Sequence, residues 1–155
     1  MHASKIMVKH PKVARADEKV GPVLVRMRKQ HLRMLPVLSD GDVVEGVIST
    51  YSLMRHVVPD YIVSGDLDSV PYAPDLGLLR KHYDELAEKH VREVMDEPLT
   101  VHADESLLSV SAALCTFGKH EYALVIDEER RLLGVISAGD ILDRLRQHKN
   151  GALDA

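Results

Sequence analysis

Gly46-Val47-Ile48-Ser49 and Gly134-Val135-Ile136-Ser137 are one tetrapeptide written twice, 88 positions apart. The duplication extends upstream. Pro11 and Pro98, Asp17 and Asp104, and Asp40 and Asp127 match at an offset of 87, which places one extra residue in the turn before the second tetrapeptide. Four features in the same order identify an internal repeat, and a repeat governs the reading of everything else.

Within each copy the signals follow one order. Extended pieces at 12–14 and 99–101 lead to Asp17 and Asp104, residues suited to cap a helix. The helix is expected to reach Arg33 in copy one and Gly118 in copy two. Gly21-Pro22 falls near the start of the first helix, where proline is tolerated only in the first turn. Two β-rich runs follow, 34–39 and 43–49, joined by Asp40-Gly41-Asp42, a hairpin signal. Their counterparts are 122–127 and 132–137, joined by 128–131. A closing helix carries Ile141, Leu142 and Leu145 at helical spacing. The order β-α-β-β-α, twice, predicts an α/β (α+β) fold in which two repeats pack with pseudo-twofold symmetry. The expected units are 1–57 and 91–148, with a loop and helix at 58–90 and a tail at 149–155.

The intervening segment has its own character. Residues 57–74 hold three prolines, Gly65, Asp60, Asp66 and Asp68, and read as loop. Asp75 can cap a helix with Leu79, Tyr83, Leu86 and His90 on one face, running on toward Val94-Met95.

Composition narrows the class. The 155 residues are 45% hydrophobic and 28% charged, an ordinary globular balance. The formal charge of −4 offers no attraction to nucleic acid or an anionic membrane. No apolar run approaches membrane-spanning length and no secretory signal is evident. Cys115 is the single cysteine, so an intrachain disulfide is impossible and a cytoplasmic location is expected.

The ordered set Gly134-Val135-Ile136-Ser137-Ala138-Gly139-Asp140, Val94-Met95 before Pro98, Thr100-Val101-His102-Ala103-Asp104 and Leu124-Val125-Ile126-Asp127 resembles the CBS domain, named for cystathionine β-synthase. Two in tandem resemble the CBS pair, or Bateman module. That resemblance implies two clefts between the repeats that bind adenosine-containing ligands, a regulatory role exerted on a separate protein partner, and a homodimer. It implies further that Thr100, Val101, Tyr122 and Ala123 wall the adenine.

The second motif has a concrete physical reading. Gly134 allows close approach of a ligand or of neighbouring backbone. Ser137, with Ile136 before it, sits where strand becomes helix, so its hydroxyl and nearby N–H groups can hold a phosphate. Asp140 can accept hydrogen bonds from ribose hydroxyls. The same Ser-x-x-Asp is also a capping box, which needs no ligand; both readings stand. In copy one Ser52 replaces the carboxylate beyond Ser49, so one good nucleotide site per chain is expected.

Other candidates rank below. His82 and His90 are too far apart on a helix to share one metal. Lys119 and His120 could reach a phosphate or lie in a solvated turn. Arg26, Arg28, Lys29, His31 and Arg33 read as the wet face of a helix. Cys115, among small apolar residues, reads as a buried hydrophobe. No nucleophile–base pair or catalytic motif can be named, so a binding module is expected rather than an enzyme. The competing function is a dimerisation or scaffold protein with degenerate clefts.

Overall fold

The computed structural model describes residues 1–60, 75–118 and 121–148. The expected loop beyond Asp60, the tail, and the Lys119-His120 pair lie outside them, as does the side chain of Asp75. In chain order the elements are α1 (Ala3–Ile6), β1 (Ala14–Arg15), α2 (Val20–Lys29), β2 (Met34–Leu38), a 3₁₀ turn (Asp40–Asp42), β3 (Val44–Ser49) and α3 (Thr50–Val57). Then come α4 (Asp75–Glu88), α5 (Val91–Val94), β4 (Thr100–His102), α6 (Leu107–Phe117), β5 (Tyr122–Ile126), β6 (Leu132–Ser137) and α7 (Ala138–Gln147).

Each copy builds a three-stranded sheet, ordered β1-β2-β3 and β4-β5-β6. The first two strands of each pair parallel and the last two antiparallel. The fold is thus the expected mixed α/β pair of repeats. β2 is buried along its whole length, as a strand covered on both faces must be.

The sheets differ in one detail that a single residue explains. In copy two the Leu124 N–H donates to the Leu99 carbonyl at 2.8 Å, and β4 is three residues long. Pro36 occupies the place of Leu124 and has no N–H to give. β1 accordingly spans only Ala14 and Arg15.

Several local expectations are corrected. Neither Asp17 nor Asp104 caps a helix. α2 starts after Lys19 with no side-chain cap, and α6 starts after Ser106, whose side chain accepts from Ser109 N–H. α2 ends at Lys29, not Arg33, with a left-handed residue at His31 (φ 56°). Gly118 (φ 61°) does the same work after α6. The extra residue of copy two lies before β5, not in its hairpin. Met34 pairs with Ser49 as Tyr122 pairs with Ser137, so the two hairpins match throughout at one spacing and Asp127 answers Ser39. His90 stands off the α4 face and precedes α5 instead.

The copies exchange their first helices. Ala3 and Ile6 of α1 are buried in the core of copy two, with Val101, Val110, Ala123, Val125, Ile136 and Ile141. Val91 and Val94 of α5 are buried in the core of copy one, with Val20, Val23, Met27, Leu35, Val37 and Ile48. Backbone bonds fix both crossings: Val8 and Val135 exchange N–H···O bonds at 2.7 and 3.0 Å, and Asp96 and Val47 do so at 2.8 and 3.0 Å. A third cluster joins the sheets, from Met34, Leu38, Val44 and Val47 on one side and Leu124, Ile126 and Val135 on the other.

Candidate functional site

Ser137 closes β6 in extended geometry and opens α7. Its hydroxyl accepts from the Asp140 N–H at 3.1 Å, while Asp140 accepts from the Ser137 N–H at 2.9 Å. This is a reciprocal capping box, so the two residues satisfy each other as they stand. The register brings Tyr122 opposite Ser137, and β4 begins with Thr100 opposite Leu124. Thr100, Tyr122 and Ser137 therefore share one edge of the copy-two sheet.

The other site candidates have different surroundings. Val101, Ala123 and Ile136 turn buried side chains into the copy-two core, so only their backbones are available to a ligand. Tyr122 packs against the cluster between the sheets, and its hydroxyl donates to the Met34 carbonyl at 3.0 Å. Burial pushes that phenol well above its ordinary range, so it stays a neutral donor. Gly134 meets backbone: a Cβ there would lie 2.7 Å from the Val8 carbonyl oxygen. Gly46 has the same duty toward Asp96, also at 2.7 Å.

Copy one keeps half of the device. Ser49 accepts from the Ser52 N–H at 3.0 Å, and the Ser52 hydroxyl donates to the Ser49 carbonyl at 3.3 Å. These residues border a cavity of about 460 Å³ together with Tyr51, Arg55, Asp96, Glu97, Phe117 and Gly118. The last four come from copy two. They are not legible in the sequence, because the exchange of first helices, which carries Asp96 across to β3, is a tertiary event. The counterparts of Asp96 and Glu97 are Val8 and Lys9, so an acidic wall in one copy answers to an apolar and a basic residue in the other.

His82 is committed elsewhere, with Nδ1 2.8 Å from the Val57 carbonyl. Among the described residues no group of three His, Cys, Asp or Glu could hold a metal ion. Cys115 is exposed, contrary to the buried position expected for it. No described helix is long and apolar enough to cross a membrane.

A family model for the CBS domain matches residues 3–59 and again 91–147. The chain belongs to the CBS domain family. Both matched stretches run through the helix that follows a Gly-Val-Ile-Ser strand, and each includes the short helix that crosses to the other sheet. Solved CBS-domain structures share the fold. CBSX2 in complex with AMP is 22% identical, covers 96% of this chain and 98% of its own, and superposes with a TM-score of 0.71. A CBS domain-containing protein of unknown function from Kribbella flavida is 20% identical, with coverage of 96% and 99% and a TM-score of 0.68. Another, from Bacillus anthracis, is 17% identical, with coverage of 95% and 94% and a TM-score of 0.71. No curated protein matches the sequence.

Proposed function

We propose that this CBS pair is a regulatory module of the cytosol that binds an adenine nucleotide at the copy-two edge and signals to a separate protein. The observation that carries the reading is the Ser137–Asp140 pair at the start of α7. Asp140 lies partly exposed and retains acceptor capacity beyond its one bond to Ser137, enough to receive ribose hydroxyls. The first N–H groups of α7 have no intrahelical partner, and the helix dipole favours an anion beside them. Ala138 and Gly139, both exposed, leave that end open to a phosphate. Thr100 and Tyr122 border the same edge, and the backbones of Val101 and Ala123 run beside them.

Comparison of the copies supports one strong site per chain. Copy one offers Ser52 where copy two has Asp140, and Asp96 and Glu97 line its cavity. Two carboxylates with one arginine oppose a polyanionic phosphate. The AMP complex of CBSX2 supports the ligand class.

A second reading is favoured by the capping box itself. Because Ser137 and Asp140 already satisfy each other, the pair suffices as structure, and the protein would then be a dimerisation scaffold.

Thermal unfolding in the presence of AMP, ADP, ATP, NAD, S-adenosylmethionine and cyclic dinucleotides decides between them. A ligand at a hundred times its Kd stabilises the native state by about 2.7 kcal/mol, or roughly 5–10 °C for a chain of this size. Asp140→Ala should lower the unliganded Tm by losing the cap and also abolish the ligand-induced gain. If no nucleotide shifts the wild type, the scaffold reading replaces this one.

A further inference from the structure

The helix α4 is fastened to copy one at its end and leaves space beneath its start. The C-terminal end is tight: a Cβ on Gly21 would stand 3.2 Å from the Ala87 Cβ, and Leu86 is buried in the copy-one core. Just beyond it the Val20 N–H donates to the Lys89 carbonyl at 2.9 Å. His82, with Nδ1 2.8 Å from the Val57 carbonyl, ties the middle of α4 to the end of α3. In the first turn of α4, by contrast, Leu76 is 80% exposed.

The space is a cavity of about 530 Å³ between α2, α3 and α4. Its walls are almost wholly apolar: Leu53 and Leu86 are buried, and Leu24, Met54, Leu79 and Tyr83 line it with them. Sites for small molecules have this character, a volume of ~300–1,000 Å³, apolar walls and a few polar groups. The bordering residues of α4, Leu76 to Leu86, extend along about 15 Å of helix. The cavity is therefore long and narrow, a shape that suits a chain rather than a fused ring system. Among the described residues that line it, the charged ones are Arg28 and Arg80, from α2 and α4, and both are exposed. Since the walls are apolar, their aliphatic stems line the cavity and their guanidinium groups lie at its rim. Arg80 also meets Asp84 at 3.2 Å, an exposed pair that water screens.

We propose that this cavity binds a fatty acid of medium chain length, with the chain between the three helices and the carboxylate on Arg28 and Arg80. Charge complementarity selects the headgroup. Two guanidinium groups border the rim, no carboxylate lines the cavity among the described residues, and arginine takes a carboxylate through paired N–H···O bonds. Burial of the methylenes supplies the affinity. The site lies on copy one and is separate from the Ser137–Asp140 edge, so it stands whether or not a nucleotide binds there. When filled, it joins α4 to α2 and α3 along the length of the helix rather than at its end alone.

Isothermal titration calorimetry of the full chain with octanoate, decanoate and dodecanoate, each below its micelle concentration, tests this. One equivalent should saturate the site, and each two added methylenes should tighten binding about tenfold while the chain stays inside. Decanol should bind roughly tenfold more weakly than decanoate, and Arg28→Gln with Arg80→Gln should erase that difference. Met54→Trp, at a position 57% exposed, places an indole in the cavity and should abolish binding with an unchanged far-UV spectrum. Leu79→Trp should do the same. Absence of saturable binding to the wild type overturns the site. Binding that survives both tryptophan variants lies elsewhere and overturns the cavity. Equal affinity for decanol and decanoate overturns the role of the arginines and with it the fatty acid as occupant. Decanoate binding that weakens as protein concentration rises, with a dimer forming in sedimentation velocity, gives the cavity to a second copy and overturns the ligand.

Discussion

The Tyr122 hydroxyl donates at 3.0 Å to the carbonyl of Met34, its own counterpart in the other copy. Arg33 and Glu121, the preceding pair of counterparts, lie 3.5 Å apart, and Val43 and Arg131 form a β-bridge at the far end of the hairpins. The pseudo-twofold axis thus runs between Met34 and Tyr122 and between Val43 and Arg131. The copies meet on it through groups that are not equal, since methionine has no hydroxyl to return the bond.

That inequality gives the first prediction. Tyr122→Phe keeps the ring in the cluster between the sheets and leaves the Met34 carbonyl without its donor. The loss of such a bond costs about 1–2 kcal/mol. Urea unfolding of the wild type and the variant should show this difference with an unchanged m-value. A variant of equal stability would remove the bond from any account of how the copies are held.

The crossing strands give the second. Gly46→Ala and Gly134→Ala each place a Cβ 2.7 Å from a carbonyl oxygen, of Asp96 and Val8 respectively. Overpacking against fixed backbone costs about 1–3 kcal/mol, and the two variants should lose similar amounts because the geometry is duplicated. Calorimetry would show it. Unequal losses would mean that one crossing is much softer than the other.

Ile6 reports on the exchange. It belongs to the first helix of the chain, yet its side chain is buried among residues of copy two. Ile6→Ala should cost about 2–4 kcal/mol. In hydrogen exchange, the loss of protection should fall first on β4, β5 and β6. Loss confined to β1, β2 and β3 would contradict the exchanged arrangement.

The fourth prediction concerns acid. Arg26 grips Glu18 with two guanidinium bonds of 3.0 Å each, and the Arg15 N–H adds a third at 2.8 Å. The hydrogen bonds from Arg26, ahead of all other causes, hold the Glu18 carboxyl below its ordinary 4.5. A carboxyl whose pKa is lower folded than unfolded contributes stability above about 4.5, and that contribution is lost as pH falls through the folded value. Both side chains are about one-third exposed, so solvent screening keeps the contribution modest. Glu18→Gln should flatten the acid limb of Tm against pH without moving the alkaline limb. An unchanged acid limb would assign it to other carboxylates.

Much of this was legible in the residues, and the failures have definite causes. The duplicated Gly-Val-Ile-Ser strand and the alternation around it identified the repeat, the hairpins and the family, because these depend on period and local turn chemistry. Helix boundaries are less legible. Asp17 and Asp104 are good capping residues in principle, but the chain makes another turn first and the helices start at Val20 and Leu107. Asp40 and Asp127 match in sequence and not in space, since strand register overrides a coincidence of residue type. The apolar neighbours of Cys115 in sequence suggest burial, but they do not bury a residue when nothing described packs on that face.

The sequence alone determined that there are two copies and that their motifs are unequal: Asp140 stands in one and Ser52 in the other, a difference of covalent chemistry that no folding can alter. Tertiary structure decided which residues surround each motif. The first helix of each copy adds to the opposite core, so Asp96 and Glu97 border the copy-one motif and Val8 crosses to copy two. Hydrophobic burial and a pair of backbone bonds drive that crossing, and they act between segments too distant in sequence for any local pattern to reveal.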